Sequence, residues 1–199
     1  GAFAVTITPF IVGIGGTTRP DSSSELLVKQ VLFHLEKEGA ETQMFGGAKL
    51  AGLPHYAPEN DQRSDDQKYF IEAVRNANAF VIGSPAYHGG VSGLVKNALD
   101  LLEDLREDPV PYCAGRPVGT VVTAAGWQGC GVTLQSLRGI IHALRGWPTP
   151  LGIAVNSVKV RLFNHDGDLI DTDTNNACKI QAEQIINFLR TESKPNAND

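Results

Sequence analysis

The chain has few cysteines, no long apolar run and no excess of positive charge. Cys113, Cys130 and Cys178 are odd in number and widely spaced, which favours reduced thiols over a disulfide framework or a zinc site. No stretch approaches the roughly 20 consecutive apolar residues of a membrane span, and the first residues lack the pattern of a secretory signal. We therefore expect a cytoplasmic protein. With 17 basic and 22 acidic residues, the net charge of −5 argues against nucleic acid as the main partner, since binding a phosphate backbone needs a basic face.

Three motifs that assign a chemistry directly are also missing. Gly13 and Gly15 begin a G-x-G-x-x-G pattern, but Thr18 stands at its third glycine. The next predicted strand is followed by Gly46 and Gly47, where a Rossmann site has a ribose-binding carboxylate. The Gly-Lys-Ser/Thr triplet of the P-loop is absent, as is the G-x-S-x-G turn of α/β-hydrolases. These absences disfavour a Rossmann dinucleotide site, a P-loop nucleotide site and a serine hydrolase.

What the sequence does contain is a regular alternation of short apolar runs and helical periods. Its 199 residues and 42% hydrophobic content suit one α/β domain, residues 1–199. Strands are predicted at residues 10–12, 41–45, 79–82, 118–123 and 152–155, and helices at 22–39, 64–77, 91–105, about 134–144 and about 176–189. Residues 49–61 are typical of a binding loop or lid, 158–173 of a hairpin, and 191–199 of a polar tail. This alternation predicts one parallel sheet covered by helices on both faces.

The first predicted strand breaks into glycines and hydroxyl residues just before the first helix. Such a turn points backbone N–H groups and short hydroxyls at one spot, where the helix dipole favours negative charge. Arg19 adds a planar cation suited to phosphate oxygens, and Ser22, Ser23 and Ser24 can cap the helix or donate to the same anion. The pattern predicts a phosphate site, although an ordinary strand–helix turn with an N-cap has a similar composition.

Two further glycine-rich breaks follow the third and fourth predicted strands. The first, residues 83–90, carries Tyr87 among small residues, and the second, residues 124–131, carries Trp127. If the strand order is 2-1-3-4-5, strands 1 and 3 lie side by side at a topological switch point, and all three breaks border one crevice. A flat polar ring joined to a phosphate suits such a crevice. Flavin mononucleotide (FMN) has that shape, and adenine nucleotides fit the same coarse geometry.

Two of these segments resemble signatures of the NAD(P)H-dependent FMN reductase family. Residues 84–100 read SPAYHGGVSGLVKNALD and closely resemble one family signature. Residues 16–24 read GTTRPDSSS and resemble the family's phosphate loop, G-S-x-R-x-x-S-x-N. Thr17 stands where serine is usual and Ser24 where asparagine is usual, and both replacements keep a polar group that can reach an anion.

The resemblance implies a three-layer flavodoxin-like fold with a five-stranded parallel sheet in the order 2-1-3-4-5. It also implies bound FMN, reduction by NADH or NADPH, and a homodimer or homotetramer with the flavin near a subunit interface. By position, the phosphate would be bound by Thr17, Arg19, Ser22, Ser23 and Ser24, and the isoalloxazine ring bordered by Pro85, Ala86, Tyr87, His88, Gly89, Ala125, Gly126 and Gly129. No side chain is expected to act as a catalytic group, and no metal is expected.

In a site of this kind, hydride passes from nicotinamide C4 to flavin N5, and a second substrate then takes the electrons in a ping-pong sequence. The expected acceptors are a free flavin, a quinone, an azo compound, a metal oxyanion or oxygen. Backbone N–H groups near flavin N1 and the C2 carbonyl would stabilise negative charge on the reduced ring. The alternative function is a flavodoxin-type electron carrier, which binds FMN without oxidising a nicotinamide. Arg63, Lys96, Arg138 and Arg161 are candidates for contact with a 2′-phosphate, and the sequence does not select among them.

Packing or turn formation explains the other conspicuous residues. Cys130, at the start of a helix near the expected flavin, fits packing better than redox chemistry. His88, beside two glycines, fits either a solvated turn residue or a donor to the ligand. The acids around His165 suggest a calcium loop, but Gly167 stands at the fourth position from Asn164 instead of the sixth. A hairpin turn at residues 165–168 is therefore predicted.

Overall fold

The computed structural model describes residues 7–192, and a parallel sheet forms its centre. Its strands are β1 (Phe10–Gly15), β2 (Glu41–Phe45), β3 (Ala79–Tyr87), β4 (Gly90–Val91), β5 (Pro117–Ala124) and β6 (Trp147–Asn156). Five of them run parallel in the order β2-β1-β3-β5-β6, which confirms the predicted order, and the two-residue β4 pairs antiparallel with the end of β3. The hairpin strand β4 was not predicted. Residues 1–6, and residues 193–199 of the predicted polar tail, lie outside the described part of the chain.

Helices cover both faces of the sheet, as predicted. They are α1 (Ser23–Lys37), α2 (Gly47–Ala51), α3 (Asp65–Asn76), α4 (Gly93–Asp100), α5 (Trp127–Ala143) and α6 (Thr172–Glu192), with a 3₁₀ turn (Leu101–Leu105) directly after α4. On one face, α1 and α6 bury Val31 and Ile185 against the strands. On the other face, α3, α4 and α5 form a second core around Phe70 and Leu137. The molecule therefore has three layers, helix on sheet on helix.

Strand β3 shows why the sheet is buried on both sides. Ala79 and Val81 belong to the core beneath α1 and α6, whereas Phe80 and Ile82 belong to the core beneath α3 to α5. All four are fully buried. Because successive side chains of a strand point to opposite faces, a continuous apolar run is what a doubly covered parallel strand requires.

Serine caps fix the starts of three helices. The hydroxyls of Ser22, Ser64 and Ser92 each accept a hydrogen bond from a backbone N–H in the first turn of α1, α3 and α4. Ser64 and Gln67 form a reciprocal capping box. Such a cap stabilises a helix by about 1 kcal/mol. Because a capping serine marks a helix start in the sequence, the predicted starts of α1 and α3 are correct to within one residue.

The predicted long connection at residues 49–61 is partly wrong, because its first residues belong to α2. Leu50 and Leu53 are almost fully buried against the same core as Phe70. These two apolar side chains anchor the segment to the rest of the protein, so it folds as a short helix before the chain continues as an open loop. A single short turn has no periodicity that the sequence could reveal.

Strand β6 begins at Trp147, five residues before the predicted start at residue 152. The sequence interpretation missed these residues because Pro148 and Pro150 cannot donate to a ladder of hydrogen bonds. Both fit here since β6 is the edge strand of the sheet and pairs only with β5 among the strands described.

The pairing of β5 with β6 is interrupted by a register shift between Val118 and Thr120, and α6 compensates for the lost bonds. The side-chain amide of Gln181 donates to the Thr120 carbonyl at 2.9 Å and to the Leu151 carbonyl at 3.0 Å. The Leu151 N–H donates to the Gln184 side-chain oxygen at 2.9 Å. Side chains of α6 thus take the place of strand–strand hydrogen bonds at the bulge.

The predicted hairpin at residues 158–173 is confirmed only at its turn. Asn164 Oδ1 accepts hydrogen bonds from the N–H groups of Asp166 and Asp168, and an isolated bridge joins Phe163 to Leu169. The rest of the segment is irregular, and α6 begins at Thr172, earlier than the predicted residue 176. None of the helices between residues 7 and 192 combines the length and the apolar character needed to cross a bilayer.

Replacing Gly139 by alanine is expected to raise the free energy of unfolding by about 0.5–1 kcal/mol. Gly139 lies inside α5, and outside the helix's own backbone a Cβ there would meet no atom of residues 7–192 within 4 Å. Alanine would therefore add helix propensity without a clash, which urea unfolding would measure. Gly152→Ala is the matched control and should destabilise, because its Cβ would lie 2.8 Å from a methyl carbon of Leu134. A destabilised Gly139→Ala protein would contradict the expectation.

Candidate functional site

Three loops meet at the edge where the parallel strands end. Gly15 of β1 is in register with Gly83 of β3, and a Cβ on Gly15 would lie 2.6 Å from the Gly83 carbonyl oxygen. Two residues further along β3, Pro85 is in register with Thr123 near the end of β5. The loops after β1, β3 and β5 therefore leave the sheet side by side, as expected from the strand order.

The first loop, residues 16–22, turns tightly before α1. Gly16 and Asp21 have φ angles of 129° and 52°, and the second is rare for a residue with a side chain. Thr17 Oγ1 accepts a hydrogen bond from the Arg19 N–H at 3.1 Å, and the Arg19 side chain is exposed. Backbone conformations of this kind persist where surrounding contacts impose them, and they cluster at ligand sites.

Three serines lie where this loop enters α1. Ser22 and Ser24 are almost fully buried, with their hydroxyl oxygens 3.4 Å apart, and Ser23 is half-buried. The Ser22 oxygen already accepts the capping hydrogen bond from the helix at 3.4 Å, so it has a proton left to donate. The N-terminus of α1 and the Arg19 guanidinium give this end of the crevice a positive field. Phosphate binding by these residues stays a prediction.

The segment after β2 holds the first loop from the side, and the sequence interpretation missed it. A Cβ on Gly47 would overlap the Thr17 carbonyl oxygen, so the two backbones are in direct contact. The Glu25 carboxylate accepts the Gly47 N–H at 3.2 Å and pairs with Lys29 at 2.9 Å. The adjacent glycines Gly46 and Gly47 were the available signal, since such residues often mark close backbone approach.

The second loop corrects the prediction that the chain breaks at residue 83. Strand β3 continues to Tyr87, which pairs with Gly90, and the two residues between them form a tight hairpin turn. His88 and Gly89 have φ angles of 53° and 80°, the pattern of a type I′ turn. The Ser84 hydroxyl accepts the N–H of the residue that follows β4, at 2.9 Å, and so fixes the base of the hairpin.

Solvent exposure increases along the predicted ring-contacting residues of this loop. Pro85 is buried and Ala86 half-buried, whereas Tyr87, His88 and Gly89 are exposed, with 53% of Tyr87 accessible. The turn conformation explains His88 as a hairpin residue. The structure thus places these five residues in one short projection beside the first loop.

The third loop is shorter than predicted, because α5 begins at Trp127, inside the predicted break at 124–131. Ala125 and Gly126 are exposed, and Gly129 lies in the first turn of α5. A Cβ on Gly129 would lie 3.7 Å from the Ala86 Cβ, which brings the second and third loops into contact. Gly126 has no side chain and so supplies no cap to the first N–H groups of α5.

The arrangement fits FMN in two respects. One end has a helix N-terminus, hydroxyls and an arginine, the donors that a phosphate requires. The other end is lined by the small residues Ala86, Gly126 and Gly129 together with uncapped N–H groups, so a flat ring with carbonyl acceptors can approach the backbone. Adenine nucleotides meet the same donors, and the geometry alone does not separate the two ligands.

All three cysteine thiols are buried, and their surroundings make them unreactive. Cys130 is buried in the first turn of α5, and this burial raises the pKa of its thiol. Burial raises the pKa values of Cys113 and Cys178 to about 12. All three are free, and they stay protonated at neutral pH. Within residues 7–192, no group of three or more histidines, cysteines or acids is arranged to hold a metal ion.

The strand order and the crevice at its switch point define a flavodoxin-like α/β protein. Solved structures agree. The flavoenzyme NAD(P)H:(acceptor) oxidoreductase FerB from Paracoccus denitrificans superimposes with a TM-score of 0.74 at 17% identity, covering 92% of this chain and 98% of that one. A flavodoxin-type, WrbA-like protein from Agrobacterium tumefaciens gives a TM-score of 0.61 at 15% identity, covering 92% of this chain and 99% of that one.

Within that class, the chain belongs to the NADPH-dependent FMN reductase family, whose model matches residues 9–159. The matched part contains all three loops of the crevice. A curated relative, the FMN-dependent NADPH-azoreductase of Staphylococcus aureus (strain USA300), is 26% identical over 180 residues, which cover 87% of this chain and 92% of the relative.

Proposed function

We propose that this protein is an NAD(P)H-dependent FMN oxidoreductase. The observation that carries the proposal is the meeting of the three loops in a chain of the FMN reductase family. The proposed phosphate ligands are Thr17, Arg19, Ser22, Ser23 and Ser24, and the proposed ring site is made of Pro85, Ala86, Tyr87, His88, Gly89, Ala125, Gly126 and Gly129. The whole chain, residues 1–199, is proposed to act as one domain.

When bound, FMN supplies the redox chemistry: it accepts a hydride from a nicotinamide at N5 and delivers two electrons to a second substrate. The chain's own residues bind, orient and polarise. The N–H groups at the start of α5 are proposed to donate to the pyrimidine end of the ring, where they favour its negatively charged form. No side chain of the three loops is assigned a proton-transfer role, which agrees with the buried, protonated Cys130.

The second substrate is proposed to use the same open side of the crevice after the oxidised nicotinamide leaves, giving ping-pong kinetics. Tyr87 and Trp127 stand at its border with 53% and 63% of their surface exposed. Exposed aromatic faces suit flat conjugated acceptors such as quinones, free flavins or azo compounds. The azoreductase relative has an activity of this kind in its name.

An anaerobic titration of the purified, FMN-loaded protein tests this function. Addition of NADPH or NADH should bleach the visible flavin band with one equivalent of nicotinamide, and an acceptor added afterwards should restore it. An electron carrier of the flavodoxin type would keep its oxidised spectrum in excess nicotinamide. Protein that binds no FMN at all would remove the proposal.

We also propose a homodimer or homotetramer in the cytoplasm. The support is apolar surface on α5 beside the crevice, where the Val132 side chain is 50% exposed and a second subunit would cover it. A Cβ on Gly89 would touch Val132 at 3.7 Å, so the hairpin and α5 form one continuous surface. Sedimentation analysis should give a multiple of the 21.3 kDa chain mass. A strictly monomeric protein would contradict the assembly.

A further inference from the structure

Most lysine and arginine side chains between residues 7 and 192 have an acidic, carbonyl or aromatic partner. Those without one, within that range, are Arg19, Lys68, Lys159, Arg161 and Lys179. Lys68 lies on α3 and Lys179 on α6, outside the three loops of the crevice. The other three follow β1 or β6 at the edge of the sheet that carries the crevice.

Existing contacts distinguish the four arginine and lysine side chains that the sequence offers as ligands of a 2′-phosphate. Arg63 pairs with Asp104 at 2.7 Å, and Lys96 pairs with Asp100 at 2.8 Å. Arg138 donates to a backbone carbonyl on β6 at 2.7 Å. Each of these would have to give up an existing contact to bind an anion. Arg161 would not, and it has Lys159 two residues away.

The segment after β6 presents Lys159 and Arg161 on a fixed backbone. The Asn156 side-chain oxygen accepts the N–H groups of residues 158 and 159, each at 3.2 Å, and so holds the turn. The Ser157 N–H donates to the Ala124 carbonyl at 2.9 Å. The turn is therefore attached to the third loop of the crevice.

Burial along this segment alternates. Val160 and Leu162 pack against the core under α1 and α6, whereas Lys159 and Arg161 are exposed. Since Val160 and Leu162 anchor the segment to the core, the exposed side chains of Lys159 and Arg161 are left in contact with solvent. The two exposed cations lie two residues apart, in a segment that is attached to the end of β5 beside the third loop.

This site is separate from the proposed FMN phosphate site. Two strands, β3 and β5, lie between β1 and β6, so the two strand ends are about 14 Å apart at the usual strand spacing. A phosphate at the first loop would use Arg19, which leaves Lys159 and Arg161 for a second anion. We propose that Lys159 and Arg161 bind the 2′-phosphate of NADPH and set the preference for NADPH over NADH. This inference rests on the proposed function.

The test compares two double variants that remove the same charge. Lys159→Gln with Arg161→Gln removes the proposed site, and Lys68→Gln with Lys179→Gln removes two unpartnered cations elsewhere. Steady-state kinetics with NADPH and NADH give the preference. Calorimetric titration of the FMN-loaded proteins with adenosine 2′,5′-bisphosphate and with adenosine 5′-monophosphate measures phosphate recognition without turnover.

The first variant should lose about tenfold or more in kcat/KM for NADPH and in affinity for the bisphosphate, because charge-assisted hydrogen bonds are removed. Its NADH kinetics should stay within about twofold, and the control variant should behave like the unchanged protein. The exchange variant, Lys159→Arg with Arg161→Lys, keeps both positive charges and should therefore keep the NADPH preference. A purely structural role for the two side chains does not predict this result.

An unchanged ratio of NADPH to NADH efficiency in the first variant would overturn the inference, as would an equal loss with both nicotinamides. Either result leaves the proposed function intact if the unchanged protein still oxidises NADPH. Failure of the unchanged protein to oxidise either nicotinamide would instead refute the proposed function. If the double variant does not fold, Arg161→Gln alone should show the same selective loss, and its absence there would refute the assignment.

Discussion

Replacing Gly47 by alanine should abolish FMN retention and lower the free energy of unfolding by about 3 kcal/mol. The new Cβ would overlap the carbonyl oxygen of Thr17, a contact between two backbones that no rotamer change can relieve. The first loop would have to move away from α2, and the proposed phosphate donors would move with it. Equilibrium dialysis for FMN and urea unfolding would measure the two effects.

Alanine substitutions at two other glycines should have smaller effects than Gly47→Ala. A Cβ on Gly52 would lie 3.5 Å from its nearest neighbour, an ordinary contact, so Gly52→Ala should change neither quantity by much. A Cβ on Gly46 would meet the carboxylate of Glu25, the end of a flexible side chain, so Gly46→Ala should give an intermediate loss. A Gly47→Ala protein that binds FMN as tightly as the Gly52→Ala protein would show that the first loop does not hold the phosphate.

Replacing Arg19 by alanine should weaken FMN binding by about 30- to 100-fold and leave riboflavin binding unchanged. The Arg19 guanidinium is exposed and has no partner within residues 7–192, so its removal breaks no internal contact. The free energy of unfolding should therefore change by less than about 0.5 kcal/mol. Quenching of flavin fluorescence on binding gives both affinities.

The comparison of FMN with riboflavin isolates the phosphate. Arg19→Lys should recover part of the FMN affinity, since lysine restores the charge without the planar pair of donors. Lys68→Ala is a control, because Lys68 also has no partner within residues 7–192 and lies on α3, outside the three loops of the crevice. Equal weakening of FMN and riboflavin in Arg19→Ala would place Arg19 elsewhere than at the phosphate.

Much of the architecture could be predicted because its signals are local. The apolar runs of β1, β3 and β5 and the serine caps of α1 and α3 each lie within a few residues of sequence. The alternation of elements predicted the parallel sheet, and the family resemblance implied its strand order. The hairpin was missed because Gly89 and Gly90 were interpreted as the break itself. Read with Tyr87, the pair His88 and Gly89 is a two-residue turn between short strands.

The rest of the site depends on contacts that are distant in sequence. Nothing near Gly47 in the chain shows that the Thr17 backbone lies against it. Likewise, Arg63 and Arg161 are equivalent as sequence, and only the fold shows that Asp104 occupies the first and leaves the second open. The sequence shows which charged residues are present, whereas the tertiary structure determines which of them remain available to a ligand.

The bulge between β5 and β6 constrains the order in which the parts of the chain can fold. Gln181 and Gln184 of the final helix supply hydrogen bonds to the last two parallel strands. During synthesis, the hydrogen bonds at this bulge can form only after this late helix has emerged from the ribosome. The pairing of the last two parallel strands would then be completed last, when the rest of the domain has already folded.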